Sequence, residues 1–435
     1  MKDSGMGGKR DTRAKRRADG PEGDAGATPV RAAGRGRVGT RGDRRRGRAG
    51  MIAAVAVVAV GVVAVAVLMV APAVVDAQRN GVADVDLAEP SAEALELHDR
   101  LTIVDMHSDT LLWKRDPLKR ANRGHMDLPR LREGNVALQV FSSVTKSPRG
   151  QNNDNNTDET DNITALAIAQ LQPRETWNSL FERSMYHAGR MQRAVDSSDG
   201  GMRAIRTRGD VEDLLAAREA GEDVVGALFS VEGLHNLEGE PGNLTELYDA
   251  GMRMAGFVHF FDNEVAGSMH GVDREGLTPM GREVLAEMQE LGIIVDLAHA
   301  SNDTIDDVLA EVDVPVVYSH GGVRATCDNN RNLSDEQIRG IADTGGVIGV
   351  GYWEDAVCGL TPEAVVDAID HVVQVGGIDA AALGSDFDGS VETGWDTSEL
   401  AVITQELMDR GYSEEDIAEI MGSNTLRALM EVLPE

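Results

Sequence analysis

The stretch "IVDMHSDT", residues 103–110, is an apolar run that stops abruptly on His107, Ser108 and Asp109. In an extended chain residues i and i+2 point to the same side, so His107 and Asp109 converge on one point in space. Convergence of an imidazole and a carboxylate is what a metal ion needs. The alternative is a strand end carrying a surface histidine and a turn aspartate, and a lone His-x-Asp does not separate the two. The rest of the chain has to decide.

Seven further short apolar segments follow: 136–141 (VALQVF), 224–230 (VVGALFS), 254–259 (MAGFVH), 293–298 (IIVDLA), 315–319 (PVVYS), 346–351 (GVIGVG) and 380–385 (AALGSD). With 102–107 (TIVDMH) they make eight candidate strands. They are continuous rather than alternating, as expected where both faces of a parallel sheet are buried. Amphipathic helices fit between several of them. "TPMGREVLAEMQELG" (278–292) opens on a Thr-Pro cap and ends on a glycine. "SNDTIDDVLAEV" (301–312) and "SDEQIRGIADTG" (334–345) follow the same plan, the second with Ser334 and Gln337 at capping-box spacing. Eight strands alternating with helices predict a (β/α)8 TIM barrel over residues 97–435, with inserted loops. The Asn-rich segment 146–162 is expected to be one such loop, lying over a mouth of the barrel.

In such a barrel function gathers where the strands end. Those ends carry His107 and Asp109, Glu232 in "SVEGLH", His259 in "FVHF", His299 in "DLAHAS", His320 in "YSHGG" and Asp386 in "GSDFDG". Of ten histidines in the chain, four fall on strand ends, which chance placement does not explain. Imidazole and carboxylate ligands suit Zn²⁺ or a similar first-row ion. A pair of ions needs a bridging group. No lysine follows Lys146, so a carboxylated lysine cannot come from any strand after the second, and Glu232 is the natural bridge. Taken alone, Glu232 could equally be a cap or turn carboxylate. His235 reads as a packing histidine and stays outside the metal set.

Charge divides the chain. Residues 1–50 hold 15 Lys+Arg against 6 Asp+Glu, and the remainder 27 against 67. With three lysines after residue 50, the acidic body has little tendency to bind nucleic acid. Between the two parts lies "MIAAVAVVAVGVVAVAVLMVAPAVV" (51–75), free of charge. At ~1.5 Å per residue it exceeds the ~30 Å hydrocarbon thickness of a bilayer. The Arg-rich flank before it should stay in the cytoplasm, which places the body outside. Residues 1–50 are thus expected to be a disordered basic tail, 51–75 a transmembrane signal-anchor or a signal peptide cut near "VVDAQ", and 76–96 a linker. The body would be membrane-anchored, or secreted if the segment is cleaved. Cys327 and Cys358 are the only cysteines. Outside the cytoplasm they fit a disulfide worth roughly 3–4 kcal/mol; two buried thiols are the alternative.

"DMHSD", "VEGLH", "DLAHAS", "YSHGG", "RNLSDEQI" and "GSDFDG", in this order and spacing, resemble the membrane dipeptidase (renal dipeptidase, M19) family of zinc peptidases. The likeness runs from about residue 97 to 430. It implies that His107, Asp109 and Glu232 hold one zinc and Glu232, His299 and His320 a second. It also implies that His259 contacts the substrate carbonyl or tetrahedral intermediate, that Arg331 pairs with the C-terminal carboxylate of a dipeptide, and that Asp386 is the acid/base. Cys327 and Cys358 fall where some animal members have a disulfide, and barrels of this kind often pair as homodimers. The first motif departs from the usual D-G-H-N-D, with Met106 and Ser108 in the Gly and Asn places; no ligand is lost. The implied reaction is hydrolysis of a dipeptide through a hydroxide bridging the metals. A dizinc amidohydrolase of another amide, lactone or β-lactam, and a non-catalytic surface protein, are the competing readings.

Overall fold

The structure, a computed structural model, describes residues 41–435, except the side chains of 41–47 and 62–69. The predicted basic tail therefore falls, up to residue 40, outside the described residues. Helix α1 (Arg41–Arg79) carries the predicted apolar segment, part of whose side chains lie outside the description. Among the described residues no helix is long and apolar enough to cross a membrane. The chain forms two units, Met1–Gly61 and Val62–Glu435. In the first, the described residues are helical; the second holds the barrel.

Nine parallel strands build one sheet: β1 (Ile103–Asp105), β2 (Val136–Phe141), β3 (Met202–Ile205), β4 (Val225–Glu232), β5 (Met252–Gly256), β6 (Ile294–Asp296), β7 (Val317–Gly321), β8 (Val347–Val350) and β9 (Ala381–Leu383). Eight of them close a ring in the order β1–β2–β4–β5–β6–β7–β8–β9, with Leu383 of β9 pairing back to Asp105 of β1. This is the (β/α)8 barrel, and its eight strands are the eight predicted ones. Every residue of the ring strands is buried, which is why they read as unbroken apolar runs. The sequence reading missed β3. Its "MRAI" pattern has two half-buried central residues and pairs only with the first half of β4, outside the ring.

The helix signals hold locally. Thr278 Oγ1 accepts from Gly281 N ahead of helix Pro279–Leu291, and Gly292 ends it at φ +69°. Ser334 and Gln337 form the reciprocal capping box of Asp335–Asp343. Cys327 and Cys358 are joined in a disulfide linking the loops after β7 and β8. Residues 76–83, the start of the expected linker, lie against the barrel instead: Asp76 and Asn80 are buried.

Candidate metal centre and cavity

The tripeptide Ile-Val-Asp ends both β1 and β6, and does the same work twice. Asp105 Oδ1 accepts from His107 N at 3.0 Å, and Asp296 Oδ1 from Ala298 N at 3.0 Å. An aspartate that bonds the backbone two residues on forms an Asx-type turn and swings the chain across the barrel rim. Beyond each turn a histidine points inward: His107 after β1, His299 after β6. His299 and Asp386 both sit in the left-handed region, at φ +66° and +57°. Such conformations in non-glycine residues gather at functional sites.

Glu232, the last residue of β4, lies at the centre. Its Oε1 is 2.8 Å from His299 Nε2 and 3.2 Å from His320 Nε2. Its Oε2 is 3.8 Å from His107 Nε2 and 3.7 Å from His259 Nε2. His107 Nε2 in turn lies 3.7 Å from Asp109 Oδ1 and 3.8 Å from Asp386 Oδ1. One carboxylate thus faces two groups of nitrogen donors with its two oxygens. The seven strand-end residues singled out by the sequence all meet here.

The donor set fits metal ions. His107 Nε2 and Asp109 Oδ1 are buried with no hydrogen-bond partner. Within the described residues His107, Glu232 and His320 can converge on one ion, as can Glu232, His259 and His299, or His107, Asp109 and Asp386. Burial pushes the carboxyls of Asp109 and Glu232 well up, and the crowding of Asp386 adds to both. Burial pushes Asp386 up to about 7; Arg331 pulls it back, while Asp105 and Asp388 push further up. Burial also drives the imidazoles of His107 and His259 down to about 3, and those of His299 and His320 well below their usual range. Neutral imidazoles beside crowded carboxylates are the donor state in which such side chains bind cations.

Several supporting residues gave no sequence signal. Asn153, in the inserted loop, accepts from His270 Nδ1 at 2.9 Å through its carbonyl oxygen, which cannot donate. His270 Nε2 must then accept from His299 Nδ1, 3.1 Å away, which leaves the His299 Nε2 lone pair aimed at Glu232. His320 Nδ1 is bonded to Ser319 Oγ at 2.9 Å, and that hydroxyl is bonded at 2.6 Å to Asp296. His235 is buried outside the cluster, on Thr145 Oγ1 at 2.8 Å.

The cage opens into a cavity of about 1010 Å³, lined among others by Glu232, His259, Arg331, Trp353 and Asp386 and by the inserted loop at Ser147 and Asn153. Arg331 is buried and held flat: Nη1 donates to Tyr318 Oη at 2.5 Å and Nη2 to the His320 carbonyl at 2.7 Å. Among the described residues, no hydrogen bond engages its Nε.

A cage of this composition at the C-terminal rim of a closed parallel barrel defines a metal-dependent hydrolase. The chain belongs to the membrane dipeptidase family, peptidase family M19, whose profile matches residues 91–433. Dipeptidase aclJ of Aspergillus oryzae is 30% identical over 373 residues, 77% of this chain and 78% of that protein. Dipeptidase tcpJ of Claviceps purpurea is 31% identical over 324 residues, 71% and 69% of the two chains. Among solved structures, a metallopeptidase from Rhodobacter sphaeroides, liganded with a phosphinate mimic of the dipeptide L-Ala-D-Ala, superposes with a TM-score of 0.63 at 22% identity, covering 76% of this chain and 99% of that one. The probable dipeptidase PvdM from Pseudomonas aeruginosa gives 0.64 at 23%, covering 78% and 98%. At these identities the two structures speak for the fold.

Proposed function

We propose that the protein is a dizinc dipeptidase acting on dipeptides with a free C-terminal carboxylate. The observation that carries this is Glu232, whose two oxygens face separate sets of imidazoles. His107, Asp109 and Glu232 would hold one ion, and Glu232, His299 and His320 the other. Bound there, the ions supply Lewis acidity and an acidified water. The chain's own residues do the rest. Arg331, pinned by Tyr318 and the His320 carbonyl, presents a flat fork to the substrate carboxylate. Because that carbonyl belongs to a ligand residue, the carboxylate anchor and the reacting carbonyl are held at a fixed separation, which selects short peptides. His259 serves the developing oxyanion. Its Nδ1 bonds the Lys146 carbonyl only at 3.4 Å, a long and weak contact, and a ring that gives up this bond carries its proton on Nε2 for donation. Asp386, raised to about 7 by burial, takes a proton at the cage and returns it to the leaving amine.

The test is a dipeptide panel, including an L,D pair such as L-Ala-D-Ala, assayed on the full chain with and without a chelator. Turnover that disappears on metal removal and returns with added zinc is expected. Cleavage indifferent to chelation, or none on any dipeptide, would contradict the reading.

Arg331→Met should lower kcat/KM for dipeptides by roughly 100-fold, the worth of a charge-assisted bidentate contact of about 3 kcal/mol. Hydrolysis of an amide lacking the carboxylate should change far less. Equal turnover of dipeptides by the variant would turn attention to another amide or a β-lactam.

The apolar segment 51–75 with its Arg-rich flank supports a catalytic body outside the cytoplasm, and the disulfide is in keeping with that compartment.

A further inference from the structure

We propose that the last two turns of α1 and the residues after it, 72–83, are part of the catalytic cavity: Val75 and Arg79 form a wall that selects substrate side chains, and Asp76 is a positioning residue for the loop that carries Asp386. The choice of substrates in the test below rests on the dipeptidase reading; the docking itself does not.

Two rows of the helix carry the argument. Pro72, Asp76 and Asn80, four apart, are buried. Val75 and Arg79, also four apart and on the neighbouring row, line the same cavity as Glu232, Arg331 and Asp386. Asp76 is the anchor. Its Oδ2 lies 3.1 Å from Arg115 Nε and 2.9 Å from Arg123 Nε, and its Oδ1 accepts from Asn80 Nδ2 at 2.9 Å. Arg115 Nη2 continues to Asp388 Oδ2 at 2.6 Å, so one guanidinium ties the end of the helix to a carboxylate two residues beyond Asp386.

The following residues are stitched to the same loop. Asn80 Oδ1 accepts from Ser390 N at 2.9 Å, the Gly81 carbonyl accepts from Thr393 N at 3.1 Å, and Ala83 N donates to the Thr393 carbonyl at 2.8 Å. The loop so held needs holding. Asp386, Asp388 and Ser390 stand at φ +57°, +66° and +65°, conformations that persist in non-glycine residues only where surroundings enforce them. Gly389, Ser390, Val391 and Glu392 of this loop also line the cavity. Segment 72–83 therefore buttresses the loop from behind and closes the cavity beside it.

Two measurements on the full chain decide this. In Asp76→Asn, which keeps the shape and removes the charge, amide hydrogen exchange of a peptide spanning 388–393 should quicken by about tenfold or more, while a peptide from β4 keeps the parent rate. Exchange at 388–393 equal to the parent would overturn the positioning role. In Val75→Trp, at a side chain 40% exposed and so tolerant of size, the ratio of kcat/KM for a bulky dipeptide to that for Gly-Gly should fall roughly tenfold. A change that scales both substrates equally, or none, would overturn the wall. A parent chain that hydrolyses no dipeptide would sink the functional reading alone, since the exchange experiment needs no turnover. The docking also requires an intact junction: a mature chain starting at Gln78, without Asp76, would contradict the proposal.

Discussion

Glu232→Gln is expected to lower kcat/KM by about 10⁴-fold or more and to strip the protein of both metal ions. The size follows from the two-sided geometry. Oε1 lies on the His299 and His320 side and Oε2 on the His107 side, so an amide in this place would disturb both of the proposed ion sites at once. One amide position is an NH₂ that repels a cation, and the other is a neutral oxygen that binds it weakly. The fold should survive. Burial already pushes the Glu232 carboxyl up, with Asp109 and Asp386 adding to it, so in the metal-free chain neutralising Glu232 removes repulsion. The metal-free variant should therefore unfold at a temperature no lower than the metal-free parent. Metal analysis, steady-state kinetics and a thermal melt check the three parts. A variant that keeps two ions would refute the bridging role.

Asp386→Asn is expected to lower kcat by roughly 10²–10⁴-fold while KM and metal content change little. Asparagine tolerates the left-handed backbone at φ +57° nearly as well as aspartate, so the substitution removes proton transfer without moving the loop. The competing role is that of a third ligand beside His107 and Asp109, a grouping that the distances also allow. The two roles part on metal content: loss of an ion in Asp386→Asn would make it a ligand, whereas full occupancy with a slow kcat makes it the acid/base.

What could be read from the sequence was whatever is local in the chain. The His-x-Asp of 107–109 is legible because strand geometry forces both side chains to one side. Glu232, His299, His320 and Asp386 are legible because each ends an apolar run, and a barrel brings such ends to one rim. The capping box of Ser334 and Gln337 is legible because its two residues lie three apart in the chain. What escaped depends on partners far away in sequence. His270 looks like any loop histidine until Asn153, from the inserted loop, meets it on one side and His299 on the other. Tyr318 reads as one more strand residue until its hydroxyl meets Arg331. Residues 76–83 have the composition of a linker, and only Arg115, Arg123 and the 388–393 backbone show that they are docked. The repeated Ile-Val-Asp of β1 and β6 was a signal available in the sequence, and it marks the two turns that aim His107 and His299.

Anomalous diffraction at the zinc edge, on crystals of the full chain grown with zinc, tests the central claim most directly. Two peaks roughly 3.5–4 Å apart are predicted, with Glu232 within about 2.0–2.2 Å of both. One peak should be completed by His107 and Asp109, the other by His299 and His320. A single ion, or ions that do not share Glu232, would contradict the account.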